Sequence, residues 1–227
     1  MSGILYIISA PSGSGKSTLV NELRKYVPGL EFSISYTTRP PRGSEQDGRE
    51  YHFIDQHLFE DMIGRGEFLE YAQVFGKYYG TAKSILAQGD AHPGSDVLLD
   101  IDIQGERQVK QKIPEAVSIF VLPPSRAELE SRLRKRSMSE NVRSEEIIQR
   151  RLDRAKREIE NYPNYDYILV NDRLEQSVDQ LQAIVMGERL KRSGKPLTLE
   201  DKRYLESAQE SLKSNMEDKI KGILASF

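Results

Sequence analysis

The 227-residue sequence contains no cysteine, which excludes a disulfide scaffold, a thiolate zinc site and a cysteine nucleophile, and suits a reducing compartment. Histidine is scarce. His52, His57 and His92 are scattered and show no H-E-x-x-H spacing, so a histidine-based metal site is not expected. A charge of one sign is also lacking: Lys and Arg number 33 against 35 Asp and Glu, a formal charge of -2. The surface as a whole is therefore not built to embrace a polyanion, and any basic site is local. No long hydrophobic run occurs either. Ile4 to Ile8 is too short for a signal-peptide core or a membrane span and has no basic residue before it. There is no lipidation motif and no repeat of fixed period. With 37% hydrophobic and 30% charged residues, the expectation is a cytoplasmic globular protein with no membrane or nucleic-acid partner and length enough for a sizeable core.

What is present is an alternation. Short apolar, β-branched runs at Ile4–Ser9, Val97–Leu99, Val117–Leu122 and Tyr167–Val170 are separated by charged segments of helical periodicity. Strands apolar along their whole length argue for a parallel sheet with both faces covered by helices. Two pieces interrupt the pattern. Phe32 to about Phe75 mixes Thr, Arg, Gly and Tyr and reads as an inserted subdomain of short strands and loops, with one helix near Leu58 to Ile63. Ser125 to Arg157 begins with a capping-box pattern, Ser125 and Glu128, and predicts two charged helices split at Ser137 to Asn141. Between Arg126 and Arg157 there are 11 Lys and Arg against 6 acidic residues, a local charge of +5. After Gly187 a tail begins. Arg192 to Pro196 reads as a linker, Thr198 and Asp201 as a cap, and Leu205, Ala208, Leu212, Met216, Ile220 and Ile223 as the apolar stripe of one helix. That stripe needs a partner, the main domain or a second copy in a homo-oligomer.

Ala10-Pro11-Ser12-Gly13-Ser14-Gly15-Lys16-Ser17-Thr18 follows the first strand and opens a helix. In that context a Gly-rich turn bends its backbone N–H groups around a phosphate, and the helix N-terminus favours negative charge. Lys16 would reach the outer phosphates and the Ser17 hydroxyl would meet magnesium. The match to G-x-x-x-x-G-K-S/T has Ala10 in place of the first Gly.

A phosphate loop implies a nucleoside triphosphate and leaves the reaction open. Arg39 and Arg42, three apart and followed by Tyr51, could fork a second phosphate, or could be solvated arginines of a Pro-rich turn. Glu70 to Thr81 carries a carboxylate, adjacent tyrosines and a glycine. Guanine presents two adjacent donors that suit a buried carboxylate, whereas adenine would leave it unpaired. Taken alone, Glu70 reads more readily as a surface glutamate. Val97 to Asp100 is an apolar strand ending in an acid, the arrangement with which phosphate-loop enzymes hold magnesium.

In succession, Ala10–Thr18, Ser35–Arg42, Tyr51, Glu70–Thr81, Leu99–Gly105 and Tyr165–Asp172 resemble bacterial guanylate kinases from about Ile4 to Lys191, in order and near the family's spacing. The resemblance implies a P-loop NTPase-type α/β core with an inserted mixed α/β GMP-binding subdomain and a helical lid. It implies magnesium-assisted phosphoryl transfer from ATP to GMP, with dGMP as a further acceptor. By the same resemblance Arg39, Arg42, Tyr51 and Tyr79 grip the GMP phosphate, Ser35, Glu70 and Thr81 read guanine, and Asp100 and Asp102 lie near nucleoside and magnesium. Arg132, Arg136 and Arg151 would be lid arginines, and Asn171 would meet adenine. The domain plan is then a kinase-like body, 1–192, and an extension, 193–227. Within the body the core is 1–31, 96–125 and 158–192, the insert 32–95 and the lid 126–157.

The chain departs from the family in the interval from Arg136 to Glu145, about four residues longer than usual, with Ser137 where Gly is common. It departs again at Gly43-Ser44 and at Gly89 to Gly94. Rival readings are a same-fold kinase of another phosphate ester, which would lack the Ser35/Glu70/Thr81 set, and a non-catalytic interaction module, which would lose Lys16. A nucleic-acid binder using the basic stretch would show steep salt dependence.

Overall fold

The mostly apolar runs become strands buried throughout, Ser9 and Ser118 included. β1 (Leu5–Ser9) has every residue buried, as do β8 (Val117–Leu122) and β9 (Tyr167–Val170). The structure, a computed structural model, describes residues 3–91, 95–139 and 145–227. Parts of two departures noted in the sequence, 92–94 and 140–144, lie outside the described residues.

Between β1 and β8 the elements are α1 (Lys16–Leu23), β2 (Leu30–Phe32), β3 (Tyr36–Thr37), β4 (His52–Phe53), α2 (Gln56–Gly64), β5 (Phe68–Val74), β6 (Lys77–Ala82), α3 (Ser84–Ala91), β7 (Asp96–Asp100) and α4 (Ile103–Lys112). After β8 come α5 (Arg126–Ser139), α6 (Glu145–Ile159), a 3-10 turn at Tyr162–Asn164, β9, α7 (Leu174–Ser193), α8 (Leu199–Glu210) and α9 (Lys213–Ala225). Contacts divide the chain into two compact units, Met1–Ile8 with Gly29–Val117 and Ser9–Pro28 with Ser118–Phe227.

The first unit holds parallel strands in the order β2-β7-β1 and a separate mixed sheet in the order β4-β3-β6-β5. Its core joins Leu5, Ile7, Val97 and Leu99 of the parallel strands to Leu69, Ile85 and Val109. β5 and β6 form a hairpin closed by Phe75 and Gly76, both at positive φ, 51 and 74 degrees, the backbone a two-residue turn demands. The hairpin register sets Glu70 opposite Thr81 and Tyr71 opposite Gly80. Ordinary turn geometry thus assigns neighbours to the side chains of the site.

The second unit pairs β8 with β9 in parallel and carries α1 and α5 to α9. α5 and α6 meet through Leu129, Leu133, Ile148, Leu152 and Ala155, with Phe227 packed on the same cluster. α5 extends to Ser139, so the first residues of the expected split are helical. The Glu128 N–H donates to Ser125 Oγ (3.2 Å), the capping contact the sequence suggested.

The tail differs from the expected single helix. α7 runs through Gly187 to Ser193, where a Cβ at 187 would lie 3.1 Å from the Ala208 Cβ, so glycine there allows α7 and α8 to approach. The stripe then breaks into α8, with the Thr198/Asp201 capping box, and α9. At the break Ile168 N–H donates to Ser211 O (2.8 Å) and Lys213 N–H to Asp166 O (3.2 Å). This covers an edge of β9 that would otherwise expose unpaired backbone groups. Ala208, Ile220 and Ile223 are buried within the chain's own contacts. Ile220→Ala is expected to lower stability by about 3 kcal/mol through the lost side chain and residual cavity; an unchanged Tm in thermal denaturation would refute that packing. Among the described residues no helix is long and apolar enough to cross a membrane.

Candidate active site

In the second unit the chain leaves β1 into the Gly-rich turn, and α1 opens at Lys16. Gly13 and Gly15 have φ of 95 and 88 degrees, which L side chains resist. A Cβ at 13 would press on Leu129 and Leu133 of α5, and one at 15 on the Asn171 amide. The turn is therefore glycine-specific by conformation and by space. Ser14 N–H donates to Pro11 O (3.1 Å), closing the turn. Among the described residues the Ser9 and Ser14 hydroxyls at the loop are buried with no hydrogen-bond partner. Ser17 and Thr18 lie exposed at the helix start, where N–H groups lack intrahelical acceptors.

Two of the assigned residues turn out to support this loop. Asn171, buried after β9, donates from Nδ2 to Ser14 O (2.7 Å). Arg132 of α5 donates from Nη1 to Ser14 O (3.2 Å) and from Nη2 to Asn171 O (2.9 Å), and its Nε–H to Glu128 Oε1 (2.8 Å). Arg136 is exposed near the end of α5 and Arg151 half-buried on α6.

The first unit gathers the other set. Arg39 is buried, and its guanidinium lies over the Tyr51 ring (5.1 Å) and the Phe53 ring (5.7 Å). It forks Glu45 through Nη1 (2.7 Å) and Nη2 (3.0 Å). Glu45 Oε2 also accepts the Arg42 N–H (2.8 Å). Burial raises the Glu45 carboxyl, but the Arg39 and Arg42 hydrogen bonds outweigh it and hold the group below its ordinary value. The Tyr51 and Tyr79 rings meet edge to face at 5.9 Å. Burial, then the Asp100 carboxylate and Tyr79, push the Tyr51 hydroxyl up to about 12, so it remains a proton donor. The Arg42 side chain is exposed. Glu45 was missed in the sequence, although its place three residues after Arg42 in a turn was the available signal.

Glu70 on β5 is 4% exposed, within a hairpin where Thr81 is its register partner. Ser35 Oγ and Thr81 Oγ1 lie 3.4 Å apart, both buried. Burial pushes the Glu70 carboxyl up to about 7; Thr81 hydrogen bonds and the Lys112 cation oppose the rise and the Asp102 charge adds to it. Asp102 itself caps α4, its Oδ1 accepting the Gly105 N–H (2.9 Å). Ser35, Glu70 and Thr81, expected to read guanine, and Arg39, Tyr51 and Tyr79, expected to grip a phosphate, thus belong to one compact unit.

Among the described residues no cluster of three or more His, Asp or Glu could hold a metal by itself. Magnesium does not need one. It takes one or two protein oxygens and completes its shell with phosphate and water, and the Ser17 hydroxyl and Asp100 carboxylate are hard oxygen donors of that kind.

The guanylate kinase family model matches residues 2–188. The chain is 56% identical over 227 residues to a guanylate kinase of Koribacter versatilis, covering 100% of this chain and 97% of that one. It is 48% identical over 191 residues to a guanylate kinase of Vibrio cholerae, covering 83% and 90%. The first of these alignments includes the C-terminal extension. The crystal structure of a guanylate kinase from Anaplasma phagocytophilum superposes with a TM-score of 0.67 at 31% identity, covering 92% of this chain and 96% of that chain.

Proposed function

The chain belongs to the guanylate kinase family, and from that premise we propose that its two compact units divide the substrates, ATP on the second and GMP on the first. The reaction is ATP-dependent phosphorylation of GMP to GDP. The division of labour rests on one observation above others: Glu70, buried with Thr81 and Ser35, sits in the same unit as the Arg39, Tyr51 and Tyr79 cluster. A carboxylate for a base with two donors and a fork for a phosphate monoester together describe GMP.

No general base is required, because the GMP phosphate is already an anionic nucleophile. Catalysis is positioning and charge compensation. Arg39, Arg42, Tyr51 and Tyr79 hold the acceptor phosphate, and GMP competes with Glu45 for the Arg39 fork. Ala10 to Thr18 wraps the donor phosphates, with Lys16 on the outer ones. Arg132 and Asn171 keep the Ser14 carbonyl turned away from that anion, while Arg136 and Arg151 supply positive charge from the lid helices. Magnesium bound with ATP would neutralise phosphate charge, and the Ser17 hydroxyl and the Asp100 carboxylate are each hard oxygen donors suited to it. We place the reaction in the cytoplasm, with no membrane or nucleic-acid partner. A homo-oligomer through the C-terminal helices would have to use faces other than the one carrying Ala208, Ile220 and Ile223, and light scattering of the full chain reads that directly.

The test of substrate choice is an assay with ATP, magnesium and each nucleoside monophosphate. GMP and dGMP are expected to react far faster than AMP, UMP or TMP. Equal rates across the bases would remove the role given to Glu70.

A further inference from the structure

Three residues of α4 reach three consecutive residues of β5. Gly105, Gln108 and Lys112 are spaced by three and four, so they share one helical stripe. β5 is the edge strand of its sheet, with β6 on one side only. On the other side Gln108 acts as a substitute strand: its Nε2 donates to Tyr71 O (2.7 Å) and its Oε1 accepts the Tyr71 N–H (3.2 Å). Lys112 Nζ donates to Leu69 O. Between these anchors stands Glu70, and a Cβ at position 105 would overlap its carboxylate.

The geometry points to Gln108 as a positioning residue for guanine selection: with Lys112 it pins the backbone on both sides of Glu70 and fixes where that carboxylate meets the base. The proposal rests on the reading of Glu70 as the guanine acceptor. Two hydrogen bonds to the N–H and C=O of one residue define its place along the edge strand in a way a single contact does not. A displacement of order 1 Å in a reading group is enough to lose a large part of its effect.

The experiment compares Gln108→Met, Glu70→Gln and, as control, Gln111→Ala, an exposed residue of the same helix. Steady-state parameters are measured for GMP, for ATP and for IMP, which lacks the exocyclic amino group. For Gln108→Met the expected result is a GMP KM raised roughly tenfold, as for one or two lost hydrogen bonds, with kcat and the ATP KM within about twofold. The preference for GMP over IMP narrows severalfold, because a loosened carboxylate loses its second hydrogen bond first. Gln111→Ala should match the wild type. If Glu70→Gln leaves base preference intact, the reading of Glu70 itself fails. If Glu70→Gln abolishes the preference while Gln108→Met keeps the wild-type GMP KM or the wild-type GMP-to-IMP ratio, the positioning role is overturned and Gln108 is only structural. Should circular dichroism show Gln108→Met unfolded, Lys112→Met carries the same expectation from the Leu69 side, and a wild-type GMP-to-IMP ratio there overturns the proposal equally.

Discussion

Lys16→Ala is expected to lower kcat about 10³-fold, the loss of ~4 kcal/mol of transition-state stabilisation that removal of a key charge-compensating group produces. The loop should survive the change. Its shape depends on the positive φ of Gly13 and Gly15 and on the Ser14 carbonyl held by Asn171 and Arg132, none of which needs the lysine. Circular dichroism and Tm should therefore match the wild type while turnover collapses. A turnover number unchanged by the substitution would refute the assignment of the loop.

Glu70→Gln is the second large effect, with kcat/KM for GMP expected to fall about 10³-fold because a site built around one hydrogen-bond pattern rejects the mismatched group. The carboxylate offers acceptors only; the carboxamide turns an N–H₂ donor toward a base edge that is itself donors. A pH profile separates this from general damage. Burial has pushed the Glu70 carboxyl up to about 7, so below that pH the wild type carries a proton where guanine needs an acceptor. Its kcat/KM for GMP should fall toward acid through that point. The Gln variant should lack this limb and keep only the titration of the GMP phosphate, which both proteins share. A wild-type profile in the variant would exclude Glu70 as its origin. The same shift acts on stability. A raised carboxyl pKa means the folded state holds the proton more tightly, so the penalty is absent below the ordinary value of 4.5 and complete above about 7. The Tm of Glu70→Gln minus that of the wild type should therefore grow as pH rises through that window.

The strands and the phosphate loop were legible in the sequence because their causes are local. β1, β8 and β9 are buried on both faces, so their residues are almost all apolar, with Ser9 and Ser118 the buried exceptions. The loop's conformation is written in Gly13 and Gly15 within a few residues of the lysine they serve. The tail was legible only in part. Its apolar positions and the Thr198 cap were visible, yet the break at Ser211 and Leu212 exists because a strand edge elsewhere needed partners there. Asp102 shows what the structure adds: the resemblance implies a place near the nucleoside, and packing also makes its carboxylate the N-cap of α4.

What the residues could not state alone is which partner each polar group would find. The turn spacing brings Glu45 near Arg42, but its pairing with Arg39 was not legible, since any nearby acid could have taken that fork. Gln108 lies 37 residues from Tyr71, and Ser35 lies 46 from Thr81. Local backbone preference and binary patterning act over a few residues and settled the element types, the loop and the family resemblance. Partner choice, burial and the proton affinity of Glu70 depend on what the whole chain packs against a side chain, and only the tertiary structure decided them.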